Sequence, residues 1–127
     1  MSAVVVDTSV WIDFFAGRPT KRLEEALRLG SVALPPVVAA ELLSGVRGRD
    51  RTAMIDLLAD LELVATPLAH WIAVGDLRAA LARRGISVST PDAHVAQCAL
   101  DRGALLLSHD AIFTHIAAVT HVRVARG

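Results

Sequence analysis

Residues 3–15 read AVVVDTSVWIDFF, and this stretch decides the class of fold. Residues 3–6 form a continuous apolar and largely β-branched run, which is typical of a strand buried on both faces of a sheet. Asp7 follows the run directly, and Thr8 and Ser9 are suited to cap a short helix formed by VWIDFF. A buried strand that leads at once into a helix favours an α/β fold.

The rest of the chain alternates short apolar strands with longer helical segments. Strands are predicted at 31–34, 61–65 and 104–108, with a last, edge-like strand at 119–124. Helices are predicted at 20–29, 36–43, 50–61, 67–84, from Thr90 to Gly103 and at 109–118. This alternation predicts an α/β sandwich with a mainly parallel sheet, in which ligands bind at the carboxyl ends of the strands.

Length and composition indicate one soluble domain spanning 1–127. The apolar fraction is 54% and the mean hydropathy is +0.49, yet no apolar run reaches the roughly 18 residues of a membrane span. The N-terminus lacks the pattern of a signal peptide, so we expect a cytoplasmic protein with no membrane partner. Cys98 is the only cysteine, which excludes an intrachain disulfide and favours a core position. A net charge of zero argues against a protein that coats duplex nucleic acid.

Four acids stand beside the most apolar segments: Asp7, Glu41, Asp92 and Asp110. A carboxylate near a core loses solvation, which is costly unless it is paired or binds a cation. Asp7 and Asp110 follow strands, and Asp92 opens a helix that can start at the same sheet edge. Oxygen ligands suit Mg²⁺ or Mn²⁺, and mutual repulsion should raise at least one carboxyl pKa when no metal is bound. The pattern therefore indicates a shared metal site of the kind that hydrolyses phosphodiesters, in which Thr8 or Ser9 orients Asp7 or a bound water.

Simpler interpretations of the single acids remain open. Asp92 and Asp110 each stand near a helix start, where a negative charge favours the helix dipole, and Asp7 is suited to cap a helix. Glu41 is harder to explain in this way because its helix has no clearly polar face. The five histidines show no zinc-binding spacing, and we expect surface or hydrogen-bonding roles for them.

Three arginines follow the helix of Glu41, at positions 47, 49 and 51. Arg47, Arg49 and Arg51 are candidates for binding RNA phosphates beside the metal. The alternative is a solvated turn between two helices.

Three segments carry a resemblance to a known family: VVVDTSVWIDFF, PPVVAAELLSG and PDAHVAQCALDRGALLLSHDAIFTHIA. In order and spacing they resemble a PIN domain, and specifically a VapC-type toxin ribonuclease, along nearly the whole chain. The resemblance implies a three-layer α/β/α sandwich with a mainly parallel central sheet. It also implies an endoribonuclease that uses Mg²⁺, or Mn²⁺ as a substitute, and leaves a 5′-phosphate and a 3′-hydroxyl.

The same resemblance assigns roles to residues and partners. Asp7, Glu41 and Asp92 would be the principal metal ligands, Asp110 a weaker or water-mediated fourth, and Ser9 a support for Asp7. A VapB-type antitoxin would wrap the toxin and obstruct its acidic cleft, and a homodimer and a toxin–antitoxin hetero-oligomer are expected. The family often carries a second acid in its last motif, but Ile112 stands there in this chain. Four acids instead of five favour one firmly held ion.

Two other classes of function are compatible with the sequence. One is a non-catalytic α/β binding module, in which the acids cap helices or meet a basic partner. The other is a metal-dependent, structure-specific DNA nuclease, although such enzymes usually carry extra elements that clamp DNA. Cleavage of RNA but not of duplex DNA would separate the three classes, whereas the sequence does not identify the RNA target.

Overall fold

The computed structural model describes residues 2–127, and their central feature is a five-stranded sheet. Its strands are β1 (Val4–Val6), β2 (Val32–Leu34), β3 (Glu62–Leu63), β4 (Leu105–Leu107) and β5 (Arg123–Ala125). They lie in the order β3-β2-β1-β4-β5, and every neighbouring pair is parallel. The predicted parallel sheet is therefore confirmed, with the first apolar run at its centre.

Helices connect successive strands along the chain and cover the sheet. They are α1 (Thr8–Phe15), α2 (Lys21–Arg28), α3 (Pro36–Ser44), α4 (Gly48–Ala59), α5 (Leu68–Arg83), α6 (Thr90–Arg102) and α7 (Ile112–Ala117). From β1 the chain passes through β2 to β3 at one edge of the sheet. It then returns to β4, on the other side of β1, and continues to β5 at the opposite edge. Right-handed crossovers in opposite directions place helices on both faces of a sheet. The α/β/α sandwich that the sequence predicted is thereby confirmed.

The helix expected at 50–61 is Gly48–Ala59, and two other helix starts differ from those expected for local reasons. α1 begins at Thr8 with Asp7 at the N-cap position, so Thr8 and Ser9 lie within its first turn and do not cap it. The helix expected from residue 109 begins only at Ile112. Asp110 Oδ1 accepts a hydrogen bond from the Ile112 N–H, which holds the residues before α7 in a turn.

The last strand also differs, because it is Arg123–Ala125 and not 119–124. Pairing with β4 sets Leu105 opposite Arg123 and Leu107 opposite Ala125. Thr120 Oγ1 accepts from the Val122 N–H, so the residues before the strand form a turn. As a consequence, the residues after Ala125 emerge at the carboxyl edge of the sheet.

The core lies between the sheet and its helices. Val5 and Leu106 from the two central strands and Trp11 and Phe113 from α1 and α7 have no exposed surface. Cys98 on α6 is likewise fully buried, which confirms the predicted core position. Within residues 2–127, every helix is too short or too polar to span a bilayer.

The direction of α6 matters for the functional site. This helix is capped at its start by Ser89, whose hydroxyl accepts from the Asp92 N–H, and it ends at Gly103 in the left-handed conformation with φ 58°. The chain then enters β4 at the amino edge of the sheet. Because α6 runs antiparallel to β4, its first turn lies at the carboxyl edge and brings Asp92 there.

Candidate active site

The carboxyl edge of the sheet contains a topological switch point between β1 and β4. The strand order turns outward in both directions from these two strands, and such points form the crevice in which α/β folds bind ligands. Asp7 follows β1 and Ser108 follows β4. The Asp7 N–H donates to the Leu107 carbonyl over 2.9 Å, so the strand pairing extends to the site.

The Asp7 carboxylate is buried and held by two hydroxyl groups. Its Oδ2 accepts from Ser9 Oγ at 2.8 Å and from Ser108 Oγ at 3.0 Å. Although Asp7 occupies the N-cap position of α1, its side chain makes no capping hydrogen bond. The interpretation of Asp7 as a helix cap therefore does not describe its side chain, and Oδ1 receives no hydrogen bond from residues 2–127.

The same two hydroxyls connect Asp7 to the turn after β4. Ser9 Oγ accepts from the His109 N–H at 3.0 Å, and Ser108 Oγ accepts from the Asp110 N–H at 2.9 Å. Each hydroxyl thus donates a hydrogen bond to Asp7, and its oxygen accepts one from a backbone N–H. Ser108 was missed by the reasoning from sequence, and the only available signal was its position directly after a buried strand.

Glu41 reaches the site from α3 and is exposed. Thr8 Oγ1 donates to its Oε1 at 2.7 Å, which ties α3 to the first turn of α1. The sequence suggested that Thr8 or Ser9 orients Asp7. The structure places Ser9 on Asp7 and Thr8 on Glu41, so consecutive residues of one helix contact two of the acids.

The pKa of Asp92 is affected both by burial and by the other three acids. Burial raises the pKa of this half-buried carboxyl above its ordinary value, and a hydrogen bond with Ser89 lowers it in part. The negative charges of Asp7, Asp110 and Glu41 raise the pKa of Asp92 further. This agrees with the expectation that carboxylates at a shared site repel one another.

Asp110 differs from the other acids because it has a local structural role. It is exposed, and its Oδ1 accepts from the Ile112 N–H at 3.0 Å, next to the start of α7. The helix-start interpretation is thus partly correct for this residue. Ile112, at the position where the family often has a second acid, contributes only its backbone N–H to this turn.

The four acids have no basic partner within residues 2–127. The ion pairs there join Asp13, Glu25, Asp101 and Glu62 to arginine or histidine, and none includes a site acid. Carboxylates without cationic partners offer only oxygen donors, which fit Mg²⁺ or Mn²⁺ better than a softer metal. Burial is less extensive than expected from the sequence, because only Asp7 is fully buried and Glu41 and Asp110 are exposed.

The three arginines after α3 make none of these contacts. Arg47 is at the N-cap position of α4, Arg49 and Arg51 follow within that helix, and all three are exposed. Within residues 2–127, none of them forms an ion pair or a side-chain hydrogen bond.

On the Glu41 side, the site opens into a groove with apolar walls. The groove has a volume of about 400 Å³ and is lined by Ile12, Phe15, Leu42, Val46 and Met54 together with Glu41. Ile12 is 55% exposed and Phe15 39% exposed, so two large apolar side chains face solvent here.

A second group of potential ligands lies where α5 packs against α6. His70 and His94 are buried, which corrects the expected surface position but agrees with a hydrogen-bonding role. His70 Nδ1 lies 2.6 Å from Asp101 Oδ2, and His70 Nε2 lies 2.8 Å from His94 Nδ1. One nitrogen of each histidine and Cys98 Sγ lie within 4.8 Å of one another. The sequence did not predict this network because its histidines meet only through helix packing.

Burial favours the uncharged forms of His94 and Cys98. It lowers the pKa of His94 to about 4, with a further contribution from neighbouring His70, and raises the pKa of the Cys98 thiol to about 12. Trp71 stacks on the His94 ring with centroids 4.7 Å apart. These contacts indicate a hydrogen-bonded link between two helices.

Comparison with known proteins gives consistent matches to one family. The PIN domain profile matches residues 4–119. Among solved structures, VapBC-5 from Mycobacterium tuberculosis is 27% identical with a TM-score of 0.73, and 100% of each chain is covered. DNA-bound VapBC from Salmonella typhimurium is 22% identical with a TM-score of 0.76, covering 99% of this chain and 98% of the other. VapBC-1 from nontypeable Haemophilus influenzae is 18% identical with a TM-score of 0.78, covering 98% and 97%. No curated protein sequence matches the chain.

Proposed function

Because this chain belongs to the PIN domain family, we propose that it is a VapC-type toxin that acts as a metal-dependent endoribonuclease. The observation that carries the proposal is a set of four acids without a basic partner, in which Asp7 lies at the switch point of the sheet and the charges of Asp7, Asp110 and Glu41 raise the pKa of Asp92. The similarity in fold to VapBC structures supports the toxin assignment. In a non-catalytic binding module, the mutual repulsion of these carboxylates would serve no function.

Asp7, Asp92 and Glu41 are the proposed principal ligands of Mg²⁺ or Mn²⁺, and Asp110 is a weaker fourth. When bound, the ion supplies an activated water and neutralises charge at the phosphorus. Ser9 and Ser108 hold Asp7 in one orientation, and Thr8 does the same for Glu41. Hydroxyl groups that orient metal ligands in this way raise metal affinity because the ligands lose little freedom on binding.

Asp92 must be ionised to serve as a ligand. Its raised pKa means that protons compete with the metal at a higher pH than they would at an ordinary aspartate. We therefore expect cleavage to fall on acidification at a fixed, subsaturating concentration of metal.

The proposal is tested by replacing the most constrained ligand. Asp7→Asn keeps the size of the side chain, so the protein should fold while cleavage of single-stranded RNA is lost. Asp76→Asn makes the same chemical change at an exposed position of α5 and should cleave like wild type. Magnesium added to chelator-treated wild type should restore RNA cleavage and leave duplex DNA intact. Retained activity in Asp7→Asn would contradict the metal site, and equal cleavage of DNA would favour the DNA nuclease.

We further propose a VapB-type antitoxin as partner, with the apolar groove beside Glu41 as its binding surface. The structural neighbours are toxin–antitoxin complexes, and the groove exposes Ile12 and Phe15 next to a proposed metal ligand. A chain bound there would cover the acidic site.

This surface is tested with the proposed VapB-type antitoxin, to be sought as a small reading frame next to the gene of this protein. Ile12→Ser with Phe15→Ser should weaken its binding at least tenfold in a calorimetric titration. Leu68→Ser with Ile72→Ser removes similar exposed apolar side chains from α5 and serves as the matched control. If only the control pair weakens binding, the antitoxin binds elsewhere.

A further inference from the structure

A continuous basic groove extends from the other side of the acidic site. One depression of about 240 Å³ is lined by Asp110, His109 and Arg126 among others, and a second of about 340 Å³ by Lys21, Arg22, His109 and Arg126. Because both share His109 and Arg126, they form one surface that starts at Asp110. We call the surface formed by Lys21, Arg22, His109 and Arg126 the basic groove.

The basic groove is assembled from distant parts of the chain. Lys21 and Arg22 open α2, whereas Arg126 follows β5. Gly127 packs so closely between Thr20 and His109 that an added Cβ would collide with both side chains. This contact fixes the residues after β5 against the start of α2 and thus brings Arg126 near the two α2 cations.

The cations of the groove are free to bind an anion. Lys21, Arg22 and Arg126 are exposed, and within residues 2–127 none forms an ion pair or a side-chain hydrogen bond. In contrast, Arg18, Arg28 and Arg102 are each paired with a carboxylate.

Asp13, which contacts His109 of the groove, is already paired. Asp13 accepts from Arg18 at 2.9 Å and lies 2.8 Å from His109 Nδ1. The hydrogen bond from Arg18, followed by that from His109, lowers the pKa of Asp13 below its ordinary value. Asp13 therefore stays ionised within its own pairs and does not occupy Lys21, Arg22 or Arg126.

We infer that the basic groove binds the phosphodiester backbone of single-stranded RNA on the Asp110 side of the scissile bond. The inference rests on the proposed function and specifies how that site holds its substrate. Four carboxylates repel the phosphates that flank the cleaved one, and the net charge of zero provides no general attraction. Cations are thus needed locally, and the Asp110 side provides three, whereas the walls beside Glu41 are apolar.

The test compares two variants that each remove three positive charges. The groove variant is Lys21→Gln with Arg22→Gln and Arg126→Gln. The control variant is Arg47→Gln with Arg49→Gln and Arg51→Gln, which alters the other exposed arginine cluster near the site. Both are made in the Asp7→Asn background, so that the RNA stays intact with Mg²⁺ present. The probe is a fluorescein-labelled single-stranded RNA of about 12 nucleotides, a length within the usual range of single-strand binding sites.

The groove variant should bind this RNA at least tenfold more weakly than its parent in fluorescence anisotropy. The slope of log affinity against log salt concentration should fall by about 2, since each lost single-strand phosphate contact contributes about 0.7. The control variant should stay within about twofold of the parent and keep its slope. Thermal melting of all three proteins verifies that the exposed substitutions leave the fold intact.

Cleavage by the corresponding variants with Asp7 restored gives an independent readout. Loss of contacts to phosphates remote from the reacting bond should raise KM and leave kcat nearly unchanged. The inference is overturned if the parent binds no RNA, if the groove variant binds like the parent, or if both triple variants lose affinity equally. Failure of the proposed function is a separate result, namely no RNA cleavage by wild type with Mg²⁺ or full cleavage by Asp7→Asn.

Discussion

At the scale of single residues, the central feature is a buried aspartate stabilised by hydroxyls instead of by a cation. Ser9 and Ser108 both donate to Oδ2 of Asp7, and their oxygens accept the backbone N–H groups of the turn after β4. A lysine or arginine partner would have neutralised the carboxylate and competed with a metal. Hydroxyl groups orient Asp7 while its negative charge remains available.

Ser108 is therefore predicted to be a positioning residue for the metal site. Ser108→Ala should weaken Mn²⁺ binding about tenfold, because Asp7 loses one of its two orienting hydrogen bonds. The free energy of unfolding should fall by only about 1 kcal/mol. Isothermal titration calorimetry and thermal melting check the two effects, with exposed Ser87→Ala as the control. Unchanged Mn²⁺ affinity in Ser108→Ala would show that Ser9 alone positions Asp7.

The sequence predicted part of this site for a clear physical reason. Asp7 was found because a carboxylate directly after a buried strand must lie at the carboxyl edge of a parallel sheet. Ser108 was not found, because a serine after a strand has no distinctive chemistry until Asp7 is placed next to it. The sequence suggested Asp110 either as a metal ligand or as a residue that favours a helix start. The structure supports the helix-start role through the hydrogen bond to the Ile112 N–H, and the charge of Asp110 also raises the pKa of Asp92.

At the scale of elements, α6 connects the site to the core. Its first turn presents Asp92, its middle buries Cys98 and His94, and its end at Gly103 returns the chain to β4. The position of Asp92 thus depends on how firmly both ends of the helix are fixed. Gly103 has a φ of 58°, a conformation that side chains with a Cβ adopt at a cost.

Two glycine substitutions test this end of the helix against a matched control. Gly103→Ala should lower the free energy of unfolding by about 1 kcal/mol, from backbone strain alone, since no atom lies within 4 Å of the added Cβ. Gly75→Ala adds the same methyl group inside α5, again with nothing within 4 Å, and should raise that free energy by about 0.5–1 kcal/mol. Urea denaturation measures both, and a gain in stability for Gly103→Ala would contradict the strained-end interpretation.

Element boundaries were predicted where the local signal was strong and missed where pairing decided them. The Thr90-Pro91-Asp92 start and the Gly103 end of α6 were found from capping residues. The last strand was displaced because its register is set by contact with Leu105–Leu107 and not by its own pattern. The histidine network could not be predicted from the sequence either, because its residues meet only when α5 packs against α6.

At the scale of the whole molecule, the site has two unlike sides. The Glu41 side is an apolar groove, and the Asp110 side is basic. Neither property follows from composition, because the net charge is zero and the basic residues come from both ends of the chain. The sequence suggested Arg47, Arg49 and Arg51 as the cations that hold RNA; the structure offers Lys21, Arg22 and Arg126 as an alternative set, contiguous with Asp110.

The stability of the whole protein should depend on metal through the acids. The folded-state pKa of Asp92 lies above the unfolded value, so the metal-free fold binds its proton more tightly, and this contribution to stability is lost as the pH rises through the folded pKa. At neutral pH without metal, Asp92→Asn should therefore melt at a higher temperature than wild type.

Magnesium should reverse the order of the two proteins. A ligand at about 100 times its Kd stabilises by about 2.7 kcal/mol, so wild type should gain stability on adding Mg²⁺, whereas Asp92→Asn should gain little. Differential scanning calorimetry with chelator and with Mg²⁺ measures both effects, and Asp76→Asn should behave like wild type. A metal-free Asp92→Asn that melts below wild type would show that Asp92 stabilises the apo fold.

The pairing of β1 with β4 has a consequence for the synthesis of the protein. Asp7 is synthesised well before Ser108, whose hydroxyl holds it and lies 101 positions later in the chain. Contacts that join the two ends of a chain form only after most of it is available. A ribosome-bound nascent chain halted before β4 should therefore show no nuclease activity in a cleavage assay. The order of synthesis would thus delay the proposed nuclease activity until the strand that carries Ser108 has been made.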